Sequence, residues 1–369
     1  MTITEMTVPL QELAWLPWAV QYFFFIGIST TAAMLAATAD LGGGERWRRI
    51  QPAAMLLALS VTVVAPIALL ADLHQPGRFW LFYTHITPSS WMSIGAVLLP
   101  LYIGSFLTYV AVWLRERIRH DNSPGWLGRL AAGRWSGRRA LPWLAALTVI
   151  NAFGILLYTG SEVMIVEARA LWHTGWLPIN LALTALLASV SAIAFLQRWV
   201  TGAAPRDTRF VLQLMLVSLL LTALGAGGWA LSGWLFDGVS FNEALRLVEA
   251  FGYWQLLFVG SSVVGVLLVA ATLVLLNRPQ AMHHAWLLAP VALLAAWSFR
   301  WAVLMDVQTV PKYGAGLYPY ELPLGSDGLL GMLGTFGLWT AVLIGLISLV
   351  AWGVNTDNAG NAREASTHG

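Results

Sequence analysis

Tyr158 and Glu162 stand four residues apart, and Asn151 and Ile155 extend the same spacing toward the N-terminus. On a helix, offsets of three and four share a face, so a phenol and a carboxylate would point the same way one turn apart. Such a pair can hydrogen-bond a hydroxylated ring and then receive its proton. The competing reading is a tyrosine anchored at a membrane boundary beside a solvated glutamate. A second candidate is the run from Ala71 to Trp80, where Asp72 emerges from an apolar stretch with His74 two residues on and Arg78 six. Asp72 and His74 could take up protons, or Asp72 could close a local pair with Arg78. Gln21 and Tyr22, inside another apolar stretch, offer hydrogen bonds either to a ligand or to a neighbouring helix.

Arg300 lies deep in the apolar run from Trp286 to Met305. A charge at that depth costs from about 3 to more than about 10 kcal/mol, depending on the reference state. It needs a carboxylate or several carbonyls. Asp72 is the favoured partner, and Asp306 supplies a third member of an expected buried charge network, as an ion pair or as part of a proton route. The alternative is a structural arginine that snorkels or ties two helices.

These residues sit in a chain that is 58% hydrophobic and only 10% charged, against about 25% charged in soluble domains. Apolar stretches recur at about 17–39, 53–71, 92–114, 142–160, 177–197, 210–231, 253–276, 285–305 and 329–352, each long enough to cross a bilayer. The expected fold is an all-α integral membrane protein with nine transmembrane helices in one membrane domain over residues 1–369. Residues 17–160 would form a first four-helix bundle and 177–305 a second. Residues 329–352 would add a last helix, and 353–369 a disordered tail. The first stretch follows Glu5 and Glu12, not a basic region, so it does not resemble a cleavable signal.

Orientation follows from the arginines. The loops after the odd-numbered stretches carry Arg46, Arg48 and Arg49, then Arg115 to Arg139, then Arg198, Arg206, Arg209 and Arg278; with Arg363 they hold 15 of the 20 basic residues. The positive-inside rule makes that side cytoplasmic, with the N-terminus periplasmic and the C-terminus cytoplasmic. The opposite side is acidic, and its segments 72–91 and 306–328 are rich in aromatics and proline, including Phe79, Trp80, Tyr83, Tyr313 and Tyr320. Loops of that composition are expected to pack against a partner and to frame the functional pocket. The basic stretch from Arg115 to Ala140 reads as a contact for lipid headgroups or as a topology signal.

There is no cysteine, which excludes a thiolate-ligated iron–sulfur cluster and any disulfide. There is no P-loop pattern. The seven histidines (His74, His85, His120, His173, His283, His284 and His368) all fall in loops or at membrane surfaces, so no haem is expected, and His74 with His85 is a weak metal signal. The net charge of +2 conceals the asymmetry between the two sides and implies no nucleic-acid partner. A redox role would therefore use a diffusible carrier and a cofactor held by another subunit.

The run Asp72-Leu73-His74-Gln75-Pro76 through Arg78-Phe79-Trp80 to Met92-Ser93, with Tyr158-Thr159-Gly160 and Trp172, resembles the polysulfide-reductase and nitrite-reductase-associated membrane subunit family. Trp15 to Ile28, Val307 to Lys312 and Leu333 to Trp339 are similar to the tetrathionate-reductase branch of that family. The resemblance implies a haem-free, quinol-oxidising anchor in the bacterial inner membrane, using menaquinol or ubiquinol. It would pass electrons to a periplasmic ferredoxin-like [4Fe–4S] subunit and through it to a molybdopterin catalytic subunit. The family's site tyrosine falls at Tyr158 and its first-helix ligands near Gln21 and Tyr22; the family's histidine in that helix has no match, and Gln21 stands in for it. Two other classes remain: a secondary transporter, disfavoured by the lack of a repeat or of matched broken helices, and a purely structural anchor.

Overall fold

The computed structural model describes residues 13–120 apart from His74, 135–202, 204–311, 317, 318 and 320–350. Among these there is no strand, and nine helices are long and apolar enough to cross a membrane. The chain is a multi-pass membrane protein. In chain order the helices are α1 (Pro17–Asp40), α2 (Gly44–Asp72), the short α3 (Leu81–Thr84), α4 (Trp91–His120), α5 (Leu141–Met164), α6 (Trp176–Leu196), α7 (Pro205–Leu235), α8 (Val239–Ala250), α9 (Gly252–Asn277), α10 (Leu288–Leu304) and α11 (Leu329–Leu349). Helices α3 and α8 do not span; they lie in connections where the hydropathy pattern predicts loops. The proposed tail, 353–369, and Tyr313 lie outside the described residues.

α1 is the axis of the bundle. Nearly all of its residues are buried, because it packs on α2, α5, α6, α10 and α11. Its apolar residues run all the way round, as a helix surrounded by other helices requires. Pro17 occupies the first turn, where a missing N–H costs nothing. The chain entering that turn is held from outside: Asp72 Oδ1 accepts from Leu16 N at 3.0 Å, and Gln308 Oε1 accepts from Ala14 N at 2.9 Å and Trp15 N at 3.1 Å. The outer helices α9 and α11 expose most of their surface, as lipid-facing spans do.

Between α1 and its neighbours the ties are short hydroxyl contacts. Ser29 Oγ lies 2.5 Å from Thr62 Oγ1 and 2.6 Å from the Tyr102 hydroxyl, joining α1, α2 and α4; Thr31 Oγ1 lies 2.6 Å from Ser189 Oγ on α6. Near the other end, the Tyr109 hydroxyl and Gln51 Nε2 both donate to Asp40 Oδ2, at 2.5 and 2.7 Å. In an apolar medium the hydrophobic effect does not distinguish helix from lipid, so packing and hydrogen bonds worth about 0.6–2 kcal/mol each select the neighbours. α11 is fastened the same way: Trp339 Nε1 donates to Ser60 Oγ at 3.0 Å, and Phe336 and Trp339 pack edge-on against Phe25.

Candidate functional site

The face of α5 that carries Asn151 and Tyr158 looks onto α4. Asn151 Nδ2 donates to Ser105 Oγ at 3.0 Å and to the Leu101 carbonyl at 3.3 Å. Two turns further along α5, the Tyr158 ring stacks on Trp91 with centroids 6.5 Å apart. Its hydroxyl lies over Gly95, where an added Cβ would come within 2.2 Å of it. Glycine at 95 is therefore what lets the phenol pass between the helices. Tyr158 is buried, and Glu162 and Tyr22 are its electrostatic neighbours. Tyr22, reaching in from α1, also feels Glu162 and Tyr83. Three of the expected site residues, Tyr22, Tyr158 and Glu162, are thus brought together from two helices. Trp91, Gly95 and Tyr83 join them.

Gln21 is fully buried on α1, and neither its amide oxygen nor its amide nitrogen has a hydrogen-bond partner among the described residues. An unpaired buried amide costs about 1–3 kcal/mol by mutational measures, so it marks either a strain or a place kept for something else. Asp72 holds the start of α1 through Leu16. His74 lies outside the described residues. No group of three or more His, Asp or Glu residues among the described positions is arranged to hold a metal.

Arg300 corrects the expected charge network. Its guanidinium is 1% exposed, and it donates from Nε to the Phe23 carbonyl at 3.1 Å, from Nη1 to the Ala296 carbonyl at 2.9 Å and Thr184 Oγ1 at 3.2 Å, and from Nη2 to the Leu181 carbonyl at 3.1 Å. No carboxylate of the described residues pairs with it. Asp72 is out of register: it meets α1 at Leu16, seven residues or about 10 Å of helix rise from Phe23. Asp306 instead accepts from the Tyr253 hydroxyl at 2.8 Å. Four hydrogen bonds to a charged donor, at about 1.5–3 kcal/mol each, match the scale of the burial cost, so carbonyls suffice. Gly27 makes room, since a Cβ there would sit 3.0 Å from both Arg300 Nη2 and Ala185 Cβ. The result ties α1, α6 and α10 together.

The same end of the bundle is braced by Trp172, whose Nε1 donates to the Val303 carbonyl at 2.6 Å and whose ring stacks on Trp15 at 5.4 Å. Arg169 donates to the Val307 and Val310 carbonyls at 2.9 and 3.2 Å, and burial holds its guanidinium below the usual arginine range. A surface hollow of about 360 Å3 opens between Arg169, Arg246, Val307 and Pro311. None of Gln21, Tyr22, Tyr158 or Glu162 lines it, so it is separate from the tyrosine–glutamate centre.

The sequence profile of the polysulphide reductase, NrfD family matches residues 5–312. The chain belongs to that family. The C subunit of tetrathionate reductase from Salmonella typhimurium is 35% identical over 348 residues, covering 93% of this chain and 94% of that one. The C subunit of selenate reductase from Mesobacillus selenatarsenatis is 24% identical over 209 residues, 52% of this chain and 49% of that one. The expected resemblance is confirmed, and this family member has the helices of a membrane anchor. Two pieces of the motif runs now have structural reasons: Gln308 pins Ala14 and Trp15, and the Trp91–Gly95 turn seats Tyr158. A glycine in an apolar helix is no signal on its own, which is why Gly95 escaped the sequence reading.

Proposed function

We propose that this protein oxidises quinol at the end of the bundle where Tyr22, Tyr158 and Glu162 converge. Quinol gives up two electrons and two protons and leaves as quinone. Tyr158 orients the head group through its hydroxyl. Glu162 takes a proton, with Asp72 and His74 receiving and releasing protons toward the surface. Gln21 serves as the hydrogen-bonding partner of a ring oxygen. The electrons pass to a ferredoxin-like [4Fe–4S] subunit docked over the same acidic, aromatic end, and from there to a molybdopterin catalytic subunit. The relatives' names make tetrathionate the first candidate for the terminal acceptor. In this reading the site end is periplasmic, the membrane is the bacterial inner membrane, and menaquinol and ubiquinol are both admissible. Residues 17–160 carry the quinol site, with 177–305 forming the second bundle.

The observation that carries the reading is the Gln21 amide, buried with both polar atoms unpaired one residue from Tyr22. A bundle kept only as an anchor has no use for such a group, whereas a ring carbonyl or hydroxyl would satisfy it. The test compares electron donors in the purified complex. Tyr158→Phe should slow quinol-driven reduction by about 10²-fold, within the range of acid–base and positioning groups, while a viologen dye feeding the catalytic subunit directly gives the wild-type rate. Equal quinol-driven rates in the two proteins would make Tyr158 a packing residue and remove the reading.

A further inference from the structure

The arginine-rich end of the bundle carries a second polar hollow, remote from the tyrosine–glutamate centre. α6 does not stop cleanly there: Gln197–Thr201 continue as one wider π-type turn before Gly202, whose φ is +69°. Such turns are rare and gather at functional places. The turn faces a cavity of about 310 Å3 closed by α7 and by the 3-10 segment Pro279–Leu287, a size within the range of about 300–1,000 Å3 typical of ligand sites.

The lining is amphiphilic. Gln197 is only 3% exposed, and its amide meets no hydrogen-bond partner among the described residues. Arg198 lines the same cavity and has no carboxylate partner among the described residues; its guanidinium sits 5.4 Å from the Trp199 ring. His283 completes the polar side, while Leu212, Met282 and Trp286 form an apolar wall. Trp199 and Trp286 meet edge-on at 5.4 Å, the kind of aromatic pair that marks the headgroup level of a bilayer.

We infer that this hollow binds the headgroup of an anionic phospholipid. The phosphodiester would sit on Arg198 and the Gln197 amide N–H, and the acyl chains would leave over Leu212 and Met282. A cation with no carboxylate partner among the described residues and an amide lining the same cavity, both on one side of an apolar wall, fit a charged amphiphile better than a free anion. Basic pockets between transmembrane helices recognise lipid phosphates in this way.

Native mass spectrometry of the full chain in detergent, titrated with phosphatidylglycerol, phosphatidylcholine or inorganic phosphate, tests this. Phosphatidylglycerol should be retained in preference to phosphatidylcholine, and millimolar inorganic phosphate should not displace it. Arg198→Gln should weaken phosphatidylglycerol about fivefold, the loss of one arginine–phosphate contact. Gln197→Leu should weaken it with the charge intact, and Arg46→Gln, a charge loss in the first turn of α2, should leave it unchanged. Equal retention of the two lipids, no effect of Arg198→Gln or Gln197→Leu, an equal effect of Arg46→Gln, or displacement by phosphate would each overturn the assignment.

Discussion

Arg300 and Gln21 are both shielded from solvent on buried helices, yet every nitrogen of the guanidinium donates a hydrogen bond and neither atom of the Gln21 amide has a partner among the described residues. The more costly group is the better satisfied. Arg300 is built like a rivet, with donors matched to carbonyls on three helices and a glycine cleared to admit it. Gln21, by contrast, keeps an amide with no partner among the described residues, one residue before Tyr22, which is an electrostatic neighbour of Tyr158 and Glu162. In a low-dielectric interior a closed network rigidifies and an open one carries an unmet cost. A charge buried in a membrane protein is a default pointer to function, and here the charged group ties the scaffold, while the group left without a partner among the described residues is a neutral amide.

The widest separation between the two regions should come from Glu162→Gln. Removing the proton acceptor should cost about 10²–10⁴-fold in quinol-driven turnover, with dye-driven turnover and complex assembly unchanged. Steady-state rates with the two donors measure this directly, and a Glu162→Gln complex that still oxidises quinol at the wild-type rate would make the Tyr158–Glu162 neighbourhood a packing accident. Gly95→Ala should follow at smaller magnitude. Its Cβ would need to displace the Tyr158 ring, so quinol turnover should fall together with a stability loss of about 1–3 kcal/mol, the usual cost of overpacking. Thermal denaturation checks the second part, and unchanged stability with unchanged turnover would show that Tyr158 has room to move.

Most of the fold was legible in the sequence, because nine long apolar stretches in a weakly charged chain leave few alternatives once every backbone group must be satisfied within the membrane. The register of Asn151 and Tyr158 was legible too, since helical spacing alone puts them on one face, and that face is the one that meets α4. The partner of Arg300 was not. Sequence shows that a buried guanidinium needs oxygen, but carbonyls are present on every helix and only the packing of α1, α6 and α10 decides which are within reach. Helix α8 escaped for another reason: a single amphipathic stretch of twelve residues is too short to register as a span and lies between two that do.

Gln21→Leu should separate binding from stability. If the amide holds a quinol oxygen, its loss should weaken quinol by about tenfold, near the 1–3 kcal/mol attached to an unmade buried hydrogen bond. The same change removes an unpaired polar group from the unliganded protein, so its thermal midpoint should hold or rise. An inhibitory quinol analogue titrated against the purified complex reads the affinity. A fall in the midpoint with unchanged analogue affinity would mean that Gln21 is a structural residue whose partner is a bound water.

The smallest effect expected is a coupling near zero. Arg300 and Asp72 hold the chain of α1 at different places: one ties it at the Phe23 carbonyl and the other at Leu16, just before its first turn. Arg300→Met should destabilise the assembled protein by removing contacts to three helices, and Asp72→Asn should weaken the start of α1. Because the two act on separate anchors, the double variant should lose the sum of the single losses to within about 0.5 kcal/mol. A direct ion pair would behave differently, since stranding one charge costs about 3–5 kcal/mol and removing both recovers much of it. Unfolding free energies of the four proteins close this cycle. Recovery of stability in the double variant would restore the ion pair and make the arginine centre part of the acid-lined end, whereas additivity keeps Arg300 a carbonyl-held tie.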